Sequence, residues 1–205
     1  MGDWVQYIPS IITALGTIVL GWFTYNQYRK NKMTDLEIDK IRNQDKIENK
    51  RRSDNSSLVF GELWDVLHAV EADRVYIVQP HPLGHEELLT IYFEVKKRGI
   101  EPMKPHIQKL KICDVPKFST MLVKNLFLYI KDVDGQVEDR YAKSIISSCG
   151  CKNVIIKRLS DNRHDWVGSI FCEFNSDMSI SEDNAKTILH NAATNIQYIL
   201  PEITE

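Results

Sequence analysis

The sequence lacks most of the signatures by which an enzyme or a nucleic-acid-binding protein is recognised. It has no Walker-type phosphate loop, no Gly-x-Ser-x-Gly elbow and no His-Glu-x-x-His zinc motif. Its 26 basic and 28 acidic residues give a net charge of −2, so no overall positive field favours nucleic acid. We therefore expect a protein that is not an enzyme, holds no cofactor or metal and binds no nucleic acid.

Cysteine is also scarce. The four cysteines are Cys113, Cys149, Cys151 and Cys172, and the two that flank Gly150 are too close for an ordinary disulfide with each other. The spacing shows no paired extracellular framework, so we expect reduced thiols in a cytosolic domain. A redox-active pair at Cys149 and Cys151 would require lowered thiol pKa values, and two small buried thiols are the simpler interpretation.

Two polar clusters are weak candidates for metal sites. His81, His85 and Glu86 share one loop, but Pro82 and Gly84 exclude a helix that would align the two histidines, so an exposed polar loop is favoured. A second cluster is acidic and surrounds a glycine. Its spacing does not fit a calcium-binding loop, so a solvated turn is expected at Asp132, Asp134, Glu138 and Asp139.

The N-terminus carries a long uncharged stretch, with no charged side chain between Trp4 and Tyr28. About 22 residues of helix, rising about 1.5 Å each, reach roughly 33 Å, which matches a bilayer core of about 30 Å. Aromatic residues lie at both ends, as interfacial aromatics do. The stretch predicts a transmembrane helix near 4–25 in an anchor segment 1–28, with the anchoring residues Trp4, Tyr7, Ile11, Ile12, Leu15, Ile18, Val19, Leu20, Trp22 and Phe23.

The charges beside this stretch predict its orientation. A cleaved signal peptide would need basic residues before the apolar run, whereas Asp3 stands there; burial within an assembly, such as a virion, is a further alternative. The basic residues Arg29, Lys30 and Lys32 follow the run directly. The positive-inside rule then predicts a single-pass membrane protein with its N-terminus outside and its C-terminal domain in the cytoplasm.

Residues 29–57 are predicted to form a charged linker helix. They contain nine basic and six acidic side chains and neither proline nor glycine. Leu36, Ile47 and Leu58 lie eleven residues apart, which gives a weak apolar stripe. We favour a stalk that pairs with a second copy as a coiled coil. A lone solvated helix is the alternative, and its basic residues would also suit anionic lipid headgroups.

The remaining residues, 58–205, alternate helix and strand patterns. Val59, Leu63, Val66, Leu67 and Val70 lie on one helical face. Strands are predicted at 74–79, 89–95 and, short and buried, at 126–130, and a hairpin is predicted from strands 153–159 and 166–174. Helices are predicted at 105–124, with a break near Pro116, and at 137–147. An apolar stripe from Ala185 to Leu200 predicts a last helix, with a capping box at Ser179 and Glu182 and its end at Pro201. This order predicts an α+β fold, a central antiparallel sheet flanked by helices.

The domain resembles the GAF family in element order and in several local patterns. These are Leu128-Tyr129-Ile130-Lys131-Asp132, Arg140-Tyr141, the run from Ile145 to Ile156 with its Cys149-Gly150-Cys151 turn, Val167-Gly168-Ser169-Ile170, and Ser181-Glu182-Asp183-Asn184. A PAS-like domain is the nearest structural alternative. The residue set of cyclic-nucleotide-binding members and a chromophore-attachment cysteine context are not found.

The resemblance implies a small-molecule or protein-contact domain, often dimeric through its terminal helices. A ligand is then expected on the sheet face beneath 105–124, and the candidate pocket residues are Phe118, Met121, Tyr129, Asp132, Cys149 and Cys151. The sequence thus favours a membrane-tethered, non-catalytic sensory or protein-interaction module. Its expected partners are the lipid bilayer, a second copy bound through helix 29–57 and the terminal helices, and a cytoplasmic protein. The alternatives are a structural or docking protein, encoded by a phage or mobile element, and a thiol-based enzyme.

Overall fold

The computed structural model describes residues 20–30, 32–33, 40, 54–81, 87–161 and 164–200, in two compact units that divide after Arg51. In the first unit, residues 20–30 are helical. None of the helices among the described residues is both long enough and apolar enough to cross a bilayer. Most of the predicted anchor, up to residue 19, and most of the predicted linker helix 29–57 lie outside the described residues.

The second unit is built on a six-stranded sheet in the order β3-β2-β1-β6-β5-β4, and each neighbouring pair is antiparallel. The strands are β1 (Arg74–His81), β2 (Leu88–Lys96), β3 (Leu110–Lys111), β4 (Phe127–Ile130), β5 (Asn153–Ser160) and β6 (Trp166–Phe174). The predicted hairpins β1–β2 and β5–β6 are both present. They join through β1 and β6, which places the first and the last strand side by side at the centre.

Helices cover both faces of this sheet, so it has two apolar cores. The first face carries α1 (54–69) and α5 (Glu182–Ile196), and the second carries α2 (Pro116–Lys124), α3 (Val133–Gln136) and α4 (Arg140–Ser148). Val75 and Ile77 of β1 pack into the first core, and Tyr76 and Val78 pack into the second. A strand covered on both faces reads as a continuous apolar run, which is the pattern of β1. The predicted apolar face of α1 is buried as expected.

The prediction of helix over 105–124 is correct only for α2. Residues 103–109 form turns and bends, Leu110–Lys111 pair with β2 as β3, and Ile112–Asp114 form a 3-10 turn. Pro116 does not break a helix; it begins α2, because its fixed φ suits the first helical position and no backbone N–H is needed there. The edge strand β4 is also only partly buried before Ile130.

The predicted helix 137–147 is present as α4, which begins only at Arg140, and a short helix that was not predicted, α3, precedes it; an aspartate caps each of them. The Asp132 side chain accepts a hydrogen bond from the Asp134 N–H at 3.1 Å and starts α3. The Asp139 side chain accepts from the Tyr141 N–H at 3.2 Å and starts α4. Two of the four acidic residues predicted to form a solvated turn therefore act as helix N-caps.

Three predicted boundaries differ from the structure. Strand β1 continues through Pro80 to His81, because its pairing with β6 ends at Val78 and proline has no ladder N–H to lose beyond that point. Helix α5 is capped by Ser181, not by a Ser179–Glu182 box, and it ends at Ile196, before Pro201. The Ser179 hydroxyl instead donates to a carboxylate oxygen of Glu71 at 3.3 Å.

Candidate functional site

A groove of about 650 Å³ runs along α2 in the second unit, and we call it the α2 groove. Its apolar lining residues are Leu88, Ile112, Pro116, Val123 and Trp166. Its polar lining residues are Glu87, Lys111, Cys113, Ser119, Thr120 and Lys124. Pockets that bind small molecules typically measure about 300–1,000 Å³ and are mainly apolar, so the groove has the size and the character of such a site.

Three elements build the groove. The short strand β3 sets Lys111 opposite Leu88, and the Ile112 N–H donates to the Glu87 carbonyl at 2.9 Å. The 3-10 turn then leads directly into α2. Because residues three or four apart lie on one face of a helix, Pro116, Thr120 and Val123 all face the groove.

Several polar groups in the groove are already engaged within the protein. The Ser119 hydroxyl donates to the Val115 carbonyl at 2.8 Å, and the Thr120 hydroxyl donates to the Pro116 carbonyl at 2.8 Å. The indole N–H of the buried Trp166 donates to the Ser169 hydroxyl at 3.0 Å. Lys111 and Lys124 are exposed, and among the described residues no hydrogen bond or ion pair engages either ammonium group.

The space between α2 and the sheet is filled by aromatic side chains. Phe118 packs against Phe171 with 6.1 Å between ring centroids, and Phe171 stacks on Tyr76 at 5.0 Å. All three are buried. A smaller cavity of about 250 Å³ remains between α2 and residues 136–139, lined by Phe118 and Met121 among others.

A buried ion pair lies on the same sheet face. Arg74 and Glu173 are directly paired residues of β1 and β6, and neither side chain is exposed. The Arg74 Nε donates to Glu173 Oε2 at 2.8 Å, and a second guanidinium N–H donates to the same oxygen. The Tyr76 hydroxyl donates to Glu173 Oε1 at 2.5 Å. This network satisfies both carboxylate oxygens of Glu173, as a buried charge requires.

The ion pair is linked to the irregular segment 101–104. The third Arg74 contact is a hydrogen bond to the Glu101 carbonyl. The Glu94 carboxylate accepts from the Met103 N–H at 2.5 Å and from the Lys104 N–H at 3.0 Å. These bonds hold the segment against the sheet although it has no regular secondary structure.

Burial and charge shift the protonation of this network. Burial raises the pKa of Tyr76 well above its usual range, and the neighbouring Glu173 carboxylate adds to that shift. Burial also raises the pKa of Glu173, which the Arg74 guanidinium opposes. For Arg74, burial lowers the pKa, but the attraction and the hydrogen bonds of Glu173 outweigh it and the pKa is raised. The guanidinium therefore remains charged.

The cysteines fall into one exposed and three buried thiols. Cys113 is exposed at the α2 groove, whereas Cys149, Cys151 and Cys172 are free and buried. The Cys151 thiol donates to the Asn153 carbonyl at 3.2 Å. Burial raises the pKa of Cys151 and of Cys172, and the Glu173 carboxylate adds to both shifts. These two thiols stay protonated at neutral pH, which makes them poor nucleophiles.

The six predicted pocket residues do not form one site. Phe118, Met121, Cys149 and Cys151 lie on the second sheet face, whereas Tyr129 packs on the first face, where its hydroxyl donates to the Ile180 carbonyl at 2.6 Å. Asp132 is the cap of α3. The groove residues Lys111, Cys113 and Trp166 were not predicted, because nothing in a two-residue strand indicates that it places them together.

The predicted weak metal sites differ in how far the structure describes them. His81 lies in β1, buried, with its Nε2 2.8 Å from the Thr90 hydroxyl oxygen, while residues 82–86 lie outside the described part. In the acidic cluster, Glu138 pairs with Lys117 at 3.2 Å. Among the residues that the structure describes, no group of three His, Cys, Asp or Glu side chains is arranged to hold a metal ion.

Comparison with known proteins identifies the fold. No protein-family model matches the sequence, and no curated protein matches it. Solved structures do match it. The blue-light-absorbing form of the Thermosynechococcus elongatus PixJ GAF domain aligns with a TM-score of 0.60 at 10% identity, over 73% of this chain and 86% of that one.

Two further matches are of the same kind. The third GAF domain of a Synechocystis protein, in its photoproduct state, gives a TM-score of 0.58 at 13% identity, over 70% of this chain and 90% of that one. A phycocyanobilin-bound GAF domain from a cyanobacterial phytochrome gives 0.54 at 16% identity, over 76% and 94%. At these identities the likeness establishes the fold alone. The second unit has a GAF-like fold, as its local patterns indicated.

Proposed function

We propose that this GAF-fold protein is a non-catalytic sensory or interaction module, tethered to the membrane, that binds a small ligand in the α2 groove. The observation that carries the proposal is the groove itself, with its volume of about 650 Å³ and its mainly apolar lining beside two exposed lysines. A cytoplasmic partner protein would read the liganded state.

The groove also favours a ligand over a purely structural role for this face. A fold that served only as a docking surface would have no need to keep an open cavity beside a well-filled core. One similar GAF domain is described as phycocyanobilin-bound, so a linear tetrapyrrole belongs among the compounds to be tested.

The test is a thermal-shift screen of the full-length chain in phospholipid nanodiscs, with nucleotides, metabolites and tetrapyrroles. A ligand present at about 100 times its Kd should stabilise the folded domain by about 2.7 kcal/mol. Thr120→Trp places an indole in the groove and should abolish the shift. Thr187→Trp is the matched control, because both threonines are exposed helix residues whose hydroxyls donate to the carbonyl four residues earlier.

Two results would contradict the proposal. One is that no compound in the panel raises the unfolding temperature. The other is that Thr120→Trp leaves the shift of every active compound unchanged, which would place the ligand elsewhere in the molecule.

The membrane tether is part of the same proposal. It rests on the uncharged residues 4–28 and on Arg29, Lys30 and Lys32 after them. The full-length chain should sediment with membranes after carbonate washing, and Leu15→Arg with Ile18→Arg should release it, since each charge at mid-membrane costs about 2.5–3.5 kcal/mol.

Protease added to sealed inside-out vesicles should digest the C-terminal domain. A domain protected in such vesicles would refute the cytoplasmic orientation.

The proposed second copy would contact the exposed face of α1. Phe60 is 38% and Trp64 44% exposed on that face, and Trp64 stacks on His68 at 5.8 Å. Phe60→Ser with Trp64→Ser should shift the mass measured by light scattering in nanodiscs from two chains to one. An unchanged mass would remove this face from the proposed contact.

A docking role without a ligand is the second candidate. The observation that favours it is the filled space beneath α2, where Phe118, Phe171 and Tyr76 occupy the position of a sheet-face pocket. This candidate predicts that Thr120→Trp prevents the binding of no small molecule. It also predicts that the protein binds its partner equally well in an extract from which small molecules have been removed.

A further inference from the structure

We propose that the ligand of the α2 groove is an amphipathic organic anion, whose apolar body packs against Ile112, Val123 and Trp166 and whose acidic group meets the ammonium groups of Lys111 and Lys124. This inference rests on the proposed function and names the ligand class for the same site.

The walls of the groove favour an apolar body. The Ser119 and Thr120 hydroxyl hydrogens and the indole N–H of Trp166 are all donated within the protein. A ligand rich in hydroxyl groups would therefore bury polar atoms for which these lining residues offer few donors, at a cost of about 1–3 kcal/mol for each unsatisfied group. A ring system or an alkyl chain avoids that cost.

The charges of the groove favour an anionic end. Lys111 comes from β3 and Lys124 from the last turn of α2, so the two amines approach the cavity from different elements. Glu87 is the one acidic residue among the described lining residues, which gives those residues a net positive charge. Lys117 on α2 differs, because its ammonium group is bound to Glu138 at 3.2 Å and does not line the groove.

Cys113 makes the proposal measurable. It is the one exposed cysteine of the four in the sequence and it lines the groove. Neutral N-ethylmaleimide should therefore modify this thiol selectively in the folded protein, and a bound ligand should slow the modification. Intact-mass spectrometry of the full-length chain in nanodiscs follows the reaction.

The probes are three compounds that share the naphthalene ring and carry one anionic, neutral or cationic substituent at the same position: 1-naphthoate, 1-naphthalenemethanol and 1-naphthylmethylammonium. If the proposal is correct, 1-naphthoate slows modification about tenfold at about ten times its Kd. The neutral and cationic compounds should slow it far less at the same concentration. Empty nanodiscs mixed with a small-molecule thiol correct for loss of reagent into lipid.

The variant Lys111→Gln with Lys124→Gln should weaken 1-naphthoate binding about three- to tenfold, the effect expected for two exposed charge contacts. Lys117→Gln with Lys152→Gln removes the same number of charges from exposed positions outside the groove and should leave the Kd unchanged. The double variant should also bring the three probes to similar affinities.

Each remaining outcome overturns the ligand class. Equal protection by all three probes would keep the groove as a site but refute the anionic end. Protection by the cationic probe alone would make Glu87 the anchoring residue. If none of the three protects Cys113, the amphipathic class is wrong, whereas the proposed function is decided separately by the thermal-shift panel and the Thr120→Trp variant.

Discussion

Removal of Arg74 should destabilise the domain by an amount that depends strongly on pH. In Arg74→Met the Glu173 carboxyl stays buried without its counter-charge, and its one remaining hydrogen bond from the network comes from Tyr76. Breaking a buried ion pair from one side generally costs about 3–5 kcal/mol. Here the Glu173 carboxyl can take up a proton instead of staying charged, so the destabilisation due to its charge cannot exceed the free energy of protonating it.

The limit follows from the ordinary pKa of 4.5 for this carboxyl group. Keeping it protonated at pH 7 costs about 3.4 kcal/mol, and at pH 5 about 0.7 kcal/mol, at about 1.36 kcal/mol per pH unit. The destabilisation of Arg74→Met relative to the unsubstituted chain should therefore shrink between pH 7 and pH 5 by up to about 2.7 kcal/mol, less whatever the unsubstituted chain itself gains in that range, because the pKa of its Glu173 is also raised. The loss of the Arg74 packing remains at both values.

Urea unfolding of the full-length chain in nanodiscs, followed by tryptophan fluorescence at both pH values, gives the two differences. The control is Arg74→Met with Glu173→Gln, which removes the Glu173 carboxyl but keeps Glu94, whose carboxylate lies 4.0 Å from the Arg74 Nε, and it should show a much smaller dependence on pH. An equal loss of stability in Arg74→Met at pH 5 and at pH 7 would show that protonation of Glu173 does not limit the cost.

Three further predictions concern stability and accessibility. Burial raises the pKa of Cys172, so above about pH 9 the unfolded chain releases a proton from this thiol that the folded chain keeps. The free energy of unfolding should therefore fall as the pH rises above about 9. Cys172→Ala should make this fall less steep by about 1.4 kcal/mol per pH unit, measured by urea unfolding. A Cβ at Gly135 would clash with the Asp132 carboxylate, so Gly135→Ala should displace this cap of α3 and cost about 1 kcal/mol of stability. At Gly61 in α1 a Cβ would meet no atom within 4 Å, so Gly61→Ala should stabilise the domain by a similar amount. N-ethylmaleimide should modify one thiol, Cys113, in the folded chain and four in urea; rapid reaction of a second thiol in the folded chain would contradict the described burial.

The sequence predicted the elements whose pattern is long and periodic. Val59, Leu63 and Val70 of α1 recur at helical spacing, and the stripe that begins at Ala185 does the same in α5, so both helices and their buried faces were correct. The two hairpins were correct for a similar reason, since each has two apolar runs separated by a short polar segment.

Local capping and short-range pairing decided the rest. The Asp132 cap starts the short helix α3, which has no periodic apolar pattern, and the Asp139 cap sets the start of α4 three residues later than hydrophobic spacing alone predicted. Strand β3 has two residues, too few for any period. The α2 groove depends on that strand, on Pro116 starting a helix and on Trp166 from a distant hairpin, and for this reason the site could not be read from the chain.

The central pairing of β1 with β6 has a consequence for synthesis of the protein. Arg74 and Glu173 are 99 residues apart, so at about 5–20 residues per second the ribosome delivers the partner of Arg74 some 5–20 s later. Throughout that interval β1 has an open hydrogen-bonding edge and Arg74 lacks Glu173, and unpaired edges of this kind recruit other strands. The nascent domain should therefore depend on chaperone protection until its last hairpin has emerged, and any chain that stops before Trp166 should aggregate.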